Sequence, residues 1–246
     1  MSDIITSLHL DKVTTHKILV AKELNGSDSS FITSCLLGHC IKIKSPVLVI
    51  CLHNSKEHYQ NVGLKMNYNL IKNIDSGIIQ FYNLGEELVN AILDNDHIST
   101  NDLVNKLKKQ IETMHEAHHC VNVIFEGVSH LFDMGYNLRN VNYICKEIID
   151  LVRAYDNSFL LFNCNAACDN DETHVLANLL VYKCHVVVEV DHLATGLSAD
   201  VSGHITFKYP SRKFEKEHMY KINPKVSHNL FKLFDRGVKL LASGAM

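Results

Sequence analysis

A chain of 246 residues, 46% apolar and 21% charged, holds enough material for a full hydrophobic core. With only 3 Pro and 11 Gly it is neither collagen-like nor a Pro/Gly-rich disordered segment, and no apolar run reaches the roughly 18 residues of a membrane span. The net charge of −3 is uneven: residues 207–239 carry nine basic and three acidic side chains, a balance that suits an acidic partner, protein or nucleic acid, or simply a solvated lysine-rich face.

The opening stretch, residues 1–16, reads as a polar N-terminal arm without the basic start and apolar run of a signal peptide, so an intracellular, cytoplasmic chain is expected. Lys17–Ala21 is the first strand. Asn25-Gly26-Ser27-Asp28-Ser29-Ser30 follows as a turn whose serines are placed to cap a helix from Phe31 to about Ile41. After Pro46, the apolar run Val47–Leu52 predicts a parallel strand buried on both faces. A short helix at Tyr59–Met66, a strand at Ile78–Tyr82 and a helix starting at Gly85 come next. In the helix Asn101–His118, Leu103, Leu107, Ile111 and Met114 share one stripe. Strand Val121–Phe125 precedes the clearest helix of the chain, with Val141, Ile144, Cys145, Ile148, Leu151, Val152 and Tyr155 at helical spacing. Strand Phe159–Phe162, helix Glu172–Tyr182 and strand His185–Val190 continue the alternation.

From Leu193 the period becomes two. A turn at Asp200–Gly203 leads into Ile205, Phe207 and Tyr209 as an antiparallel edge hairpin, followed by a strand near Tyr220–Ile222 and a C-terminal helix over Ser227–Leu241. Strands alternating with helices predict an α/β fold, a mainly parallel sheet flanked by helices with a C-terminal antiparallel hairpin, in one domain over 1–246. Six of the eight cysteines lie in apolar segments and read as buried thiols, and Cys164 and Cys168 lack zinc-knuckle spacing.

Three places carry chemistry. In a parallel sheet, ligands bind beyond the carboxyl ends of the strands, so the turn after the first strand is where a phosphate loop would lie. That turn keeps Gly26 and the serines, has no lysine, and puts Asp28 where a phosphate would sit. Glu126 ends a strand at the position from which nucleotide hydrolases hold magnesium, which leaves a working hydrolase as the rival reading. His115-Glu116-Ala117-His118-His119 matches a zinc hydrolase signature, with His115 and His119 as ligands and Glu116 as base. Against zinc, the match falls in the last turn of its helix and no third histidine follows, so no metal is expected there. The loop Asp169–Glu172 is acidic and would repel a phosphodiester backbone.

The block Leu193-Ala194-Thr195-Gly196-Leu197-Ser198-Ala199-Asp200-Val201-Ser202-Gly203 resembles the most characteristic segment of the Elongator complex protein 6 family. His58-Tyr59-x-x-Val62-Gly63-x-Lys65, the strand ending at Glu126 with Leu131–Gly135 after it, and Tyr220-Lys221-Ile222 agree in order from about Ile18 to Gly237. The resemblance implies a RecA-like ATPase fold that has lost its nucleotide machinery and takes no cofactor. It also implies a heterohexameric ring with Elongator proteins 4 and 5 that joins the remaining Elongator subunits, in cytoplasm and nucleus, and supports transfer RNA wobble-uridine modification. Within such a ring, Lys208, Arg212, Lys213, Lys216 and Lys221 are the candidate RNA or partner surface, and an arginine offered to a neighbour's site must be Arg139, Arg153, Arg212 or Arg236.

Overall fold

The computed structural model describes residues 2–10, 17–166, 169–193, 196, 198, 200–210 and 225–242. Among these residues six strands run parallel: β1 (Lys17–Glu23), β2 (Val47–Cys51), β3 (Ile79–Asn83), β4 (Asn122–Glu126), β5 (Phe159–Asn165) and β6 (Val186–Asp191). Three more, β7 (Gly203–Tyr209), β8 (Lys225–Phe234) and β9 (Gly237–Ala242), extend the same sheet with antiparallel pairing. The spatial order is β3-β2-β4-β5-β1-β6-β7-β8-β9, which places β1 in the middle. Every residue of β2 and β4 is buried, β2 as an unbroken apolar run and β4 with Asn122 and Glu126 at its ends, as expected of strands covered on both faces.

Among the described residues eight α-helices cover the sheet: α1 (Ser2–Ser7), α2 (Ser30–Ile43), α3 (Lys56–Lys65), α4 (Leu70–Asp75), α5 (Leu84–Leu93), α6 (Thr100–His118), α7 (Leu138–Val152) and α8 (Glu172–Val181). On one face, the apolar stripes of α5 to α8 pack on Ile18, Val20, Leu48, Val123, Phe125 and Phe162. On the other, α1 to α4 pack on Leu19, Val49, Ile124, Leu161, Val188 and the inner side of β7 and β8. Local chemistry sets the helix starts: Ser55, Asn69, Asn83, Ser99 and Asn137 each accept a hydrogen bond from a backbone N–H of the first turn of the helix that follows. Among the described residues no helix is long and apolar enough to cross a membrane.

The structure corrects the two ends of the chain. The predicted C-terminal helix over Ser227–Leu241 is the hairpin β8–β9, closed by a two-residue turn at Asp235 and Arg236. Phe231, Phe234, Val238 and Leu241 fit a helical spacing, but the bare N–H and C=O groups of β7 need a partner strand, and seven residue pairs with β8 supply it. The predicted N-terminal arm is in part a packed element: Ile4, Ile5 and Leu8 of the α1 region are buried in the core that α2 shares. The helix α4 was not anticipated, and the strand expected at Tyr220–Ile222 lies outside the described residues. Cys35, Cys40, Cys51, Cys145, Cys164 and Cys184 are buried free thiols, and burial pushes Cys35 up to about 11 and Cys145 up to about 12, so both stay protonated at neutral pH.

Candidate functional site

The turn after β1 lies at the carboxyl edge of the sheet and feeds the N-terminus of α2, whose free N–H groups would attract an anion in any fold of this kind. Asn25 (φ 51°) and Gly26 (φ 73°) take left-handed backbone to make the bend. Asn25 Nδ2 donates to Asp191 Oδ1 at 2.9 Å and Ser27 Oγ to the Val190 carbonyl at 2.6 Å, so the turn is tied to the end of β6.

The anion at this helix start is the chain's own. Glu23 Oε1 accepts from the Ser29 backbone N–H at 2.9 Å and from Ser29 Oγ at 2.8 Å. Asp28 accepts from the Ser30 N–H at 2.7 Å and from Ser30 Oγ at 2.8 Å. The serines therefore do not cap α2 with their oxygens, as the sequence led one to expect: two carboxylates do, and the hydroxyls donate to them. Behind them, Thr33 Oγ1 donates to Asn163 Oδ1 at 3.3 Å and Asn163 Nδ2 donates to Ser29 Oγ at 2.7 Å, so β5, α2 and β1 share one buried polar chain. Burial raises the Glu23 pKa above the ordinary carboxylate value; the Ser29 bonds oppose this and the negative charges of Asp28 and Glu126 reinforce it.

Glu126 is also turned inward. Its carboxylate accepts from the backbone N–H groups of His53 at 3.0 Å and Asn54 at 3.2 Å and from Asn54 Nδ2 at 2.7 Å, holding the loop after β2. Beside it the His53 and His130 rings stack at 4.5 Å, and His130 pairs with Asp133 at 2.9 Å. A cavity of about 370 Å³ opens next to the turn, between α3 and the β8–β9 hairpin, with Phe31, Val62, Phe231 and Phe234 among its walls and Asp28, Asp191 and Asp235 against a single Lys65. A triphosphate does not fit this arrangement. The Ser29 and Ser30 amides are engaged, no lysine stands in the turn, and two carboxylates occupy the place where phosphate charge would fall.

The zinc signature does not form a helix face. His119 leaves α6 in left-handed backbone (φ 59°) as its C-cap, His115 stacks on Tyr155 at 3.8 Å, and among the described residues no group of three His, Cys, Asp or Glu side chains is placed to hold a metal. Lys208 lies on β7 and pairs with Glu189 at 2.6 Å; Arg212, Lys213, Lys216 and Lys221 lie outside the described residues. Arg153 donates to the Lys183 carbonyl at 3.3 Å and pairs with Asp150 on its own helix face. The sequence reading missed Glu23 and Asn163; the available signal was a carboxylate closing the first strand six residues before a Ser-Ser helix start.

A family model described as Elongation complex protein 6 matches residues 3–227. The Elongator complex protein 6 of Drosophila melanogaster is 25% identical over 237 residues, covering 90% of this chain and 88% of that protein, and its counterpart from Danio rerio is 21% identical over 237 residues, covering 89% and 87%. Among solved structures, a KaiC-like protein from the hyperthermophilic archaeon Pyrococcus horikoshii superimposes with a TM-score of 0.63 at 7% identity, covering 91% of this chain and 88% of that one. The likeness establishes the RecA-like fold and, at that identity, only the fold.

Proposed function

The chain belongs to the Elongation complex protein 6 family, and from that premise we propose that it is a non-catalytic RecA-like subunit of the Elongator complex that acts by assembly. In this reading it alternates with Elongator proteins 4 and 5 in a heterohexameric ring, in the cytoplasm and nucleus, that supports modification of the transfer RNA wobble uridine. The observation that carries the non-catalytic part is the α2 N-terminus, where Glu23 and Asp28 hold the N–H groups that a nucleotide's phosphates would need. Glu126, the residue of the rival hydrolase reading, spends both carboxylate oxygens on the loop after β2. A subunit built this way contributes surface rather than turnover.

Native mass spectrometry of the tagged chain, purified under mild salt from its own cells, tests the assembly. The expected result is a six-membered particle with two related RecA-like chains, each of the three present twice. Recovery as a monomer or homo-oligomer overturns it. Calorimetric titration with Mg-ATP tests the site: no saturable binding to the purified chain is expected, whereas binding that Glu126→Ala abolishes would restore the hydrolase reading.

A further inference from the structure

On the face covered by α5 to α8, α8 is the last helix before the antiparallel strands, and a pocket of about 340 Å³ lies between it and the surface of β1, β6 and β7. At its base is Lys22, with a side chain only 9% exposed. An ammonium group has three protons to place. Lys22 donates to Asn178 Oδ1 at 3.1 Å, and among the described residues it pairs further only with Glu189, at 3.8 Å beyond hydrogen-bond reach. Both oxygens of Glu189 are held by Lys208, at 2.7 and 2.6 Å. Two cations thus share one carboxylate, and the nearer pairing belongs to the more exposed of the two. Val181, Val187 and Val226 supply apolar walls, and Val226 is 45% exposed on β8.

We propose that this pocket docks a protein segment presenting an Asp or Glu side chain between apolar neighbours, the carboxylate seated at Lys22 and Lys208 and the flanks on Val181 and Val226. Charge complementarity selects the class, because among the described residues the pocket holds one more positive than negative side chain, and a carboxylate would give Lys22 a closer partner than Glu189. A phosphodiester strand needs a continuous cationic track, and here Glu189 stands between the two lysines. The inference rests on this chain's own side chains and is independent of the ring reading.

The test is a nuclear magnetic resonance titration of the full-length chain with a capped Leu-Val-Glu-Val-Leu peptide. Resonances of Val226 and Val181 are expected to shift, and replacing the peptide's Glu by Gln, or making Lys208→Glu in the chain, should weaken binding by about tenfold or more. Lys22→Met should remove binding while holding or raising the thermal midpoint, because Met fills the stem's volume and no under-paired cation is left buried. No shift at the pocket, an equal response to the Gln peptide, equal binding of butyrate alone, or binding of phosphate or transfer RNA in place of the peptide would each overturn the proposal. So would a lower midpoint in Lys22→Met with unchanged peptide binding, which would make Lys22 purely structural.

Discussion

At the scale of single residues, the decisive feature is that Glu23, Asp28 and Glu126 are all satisfied from within. Glu23 has the least comfortable position: it is half-buried, its carboxylate is desolvated and it feels two other negative charges, so its pKa is raised in the fold. A group that binds its proton more tightly folded than unfolded makes the protein more stable as pH falls through the folded pKa toward the ordinary value of 4.5. Glu23→Gln keeps an acceptor for Ser29 and removes the charge. The thermal midpoint of that variant should be higher than wild type at neutral pH, with the gap closing as pH falls toward 4.5. Glu126→Ala should do the opposite, leaving the His53 and Asn54 N–H groups without their acceptor at a cost of about 3 kcal/mol in chemical denaturation. Asp28 was legible as an obstacle to phosphate because it stands inside the turn. Glu23 was not, since a strand-ending carboxylate acquires its role only when the chain folds back to place Ser29 beside it.

Among the elements, the β8–β9 hairpin carries the largest difference between expectation and structure. Lys225–Phe234 has alternation too weak to announce a strand, since only Phe231 within it is fully buried. Phe231 stacks on Phe31 of α2 at 4.9 Å and lies so close to Gly203 that a β-carbon there would meet its ring at 2.8 Å. This contact fastens the antiparallel extension to the parallel core. Phe231→Ala should cost about 3 to 5 kcal/mol in denaturant unfolding. Gly203→Ala should also destabilise, because the added methyl group has to displace either the ring or backbone. The helices were legible for the opposite reason. In α7 the buried set Val141, Ile144, Cys145, Ile148 and Val152 recurs at helical period, and Asn137 caps it locally, so sequence and packing agree.

For the whole molecule, apolar side chains remain outside both cores. Val89, Ile92 and Leu93 are exposed on α5, Leu64 and Ile71 on α3 and α4, and Leu233 and Phe234 at the hairpin. Surfaces of this kind are normally covered in an assembly. The purified chain alone is expected to self-associate in sedimentation velocity, with weight-average mass rising with concentration, and to lose that behaviour when recovered with its assembly partners. A concentration-independent monomer would count against these faces being interfaces.

The sequence by itself determined the elements from Lys17 to Asp191 other than α4, the parallel sheet they imply, and a turn after the first strand that carries no lysine, because period, caps and composition are local properties. It also carried the family resemblance that the family model and the relatives bear out. Only the tertiary structure decided that Lys225–Phe234 and Gly237–Ala242 pair as strands, since that choice depends on β7 offering an unpaired edge. Only the fold, likewise, placed Asn163 on Ser29, Glu126 on Asn54, and Lys22 under Asn178. Those contacts join residues as far as 156 positions apart, and no local period encodes a pairing at that distance.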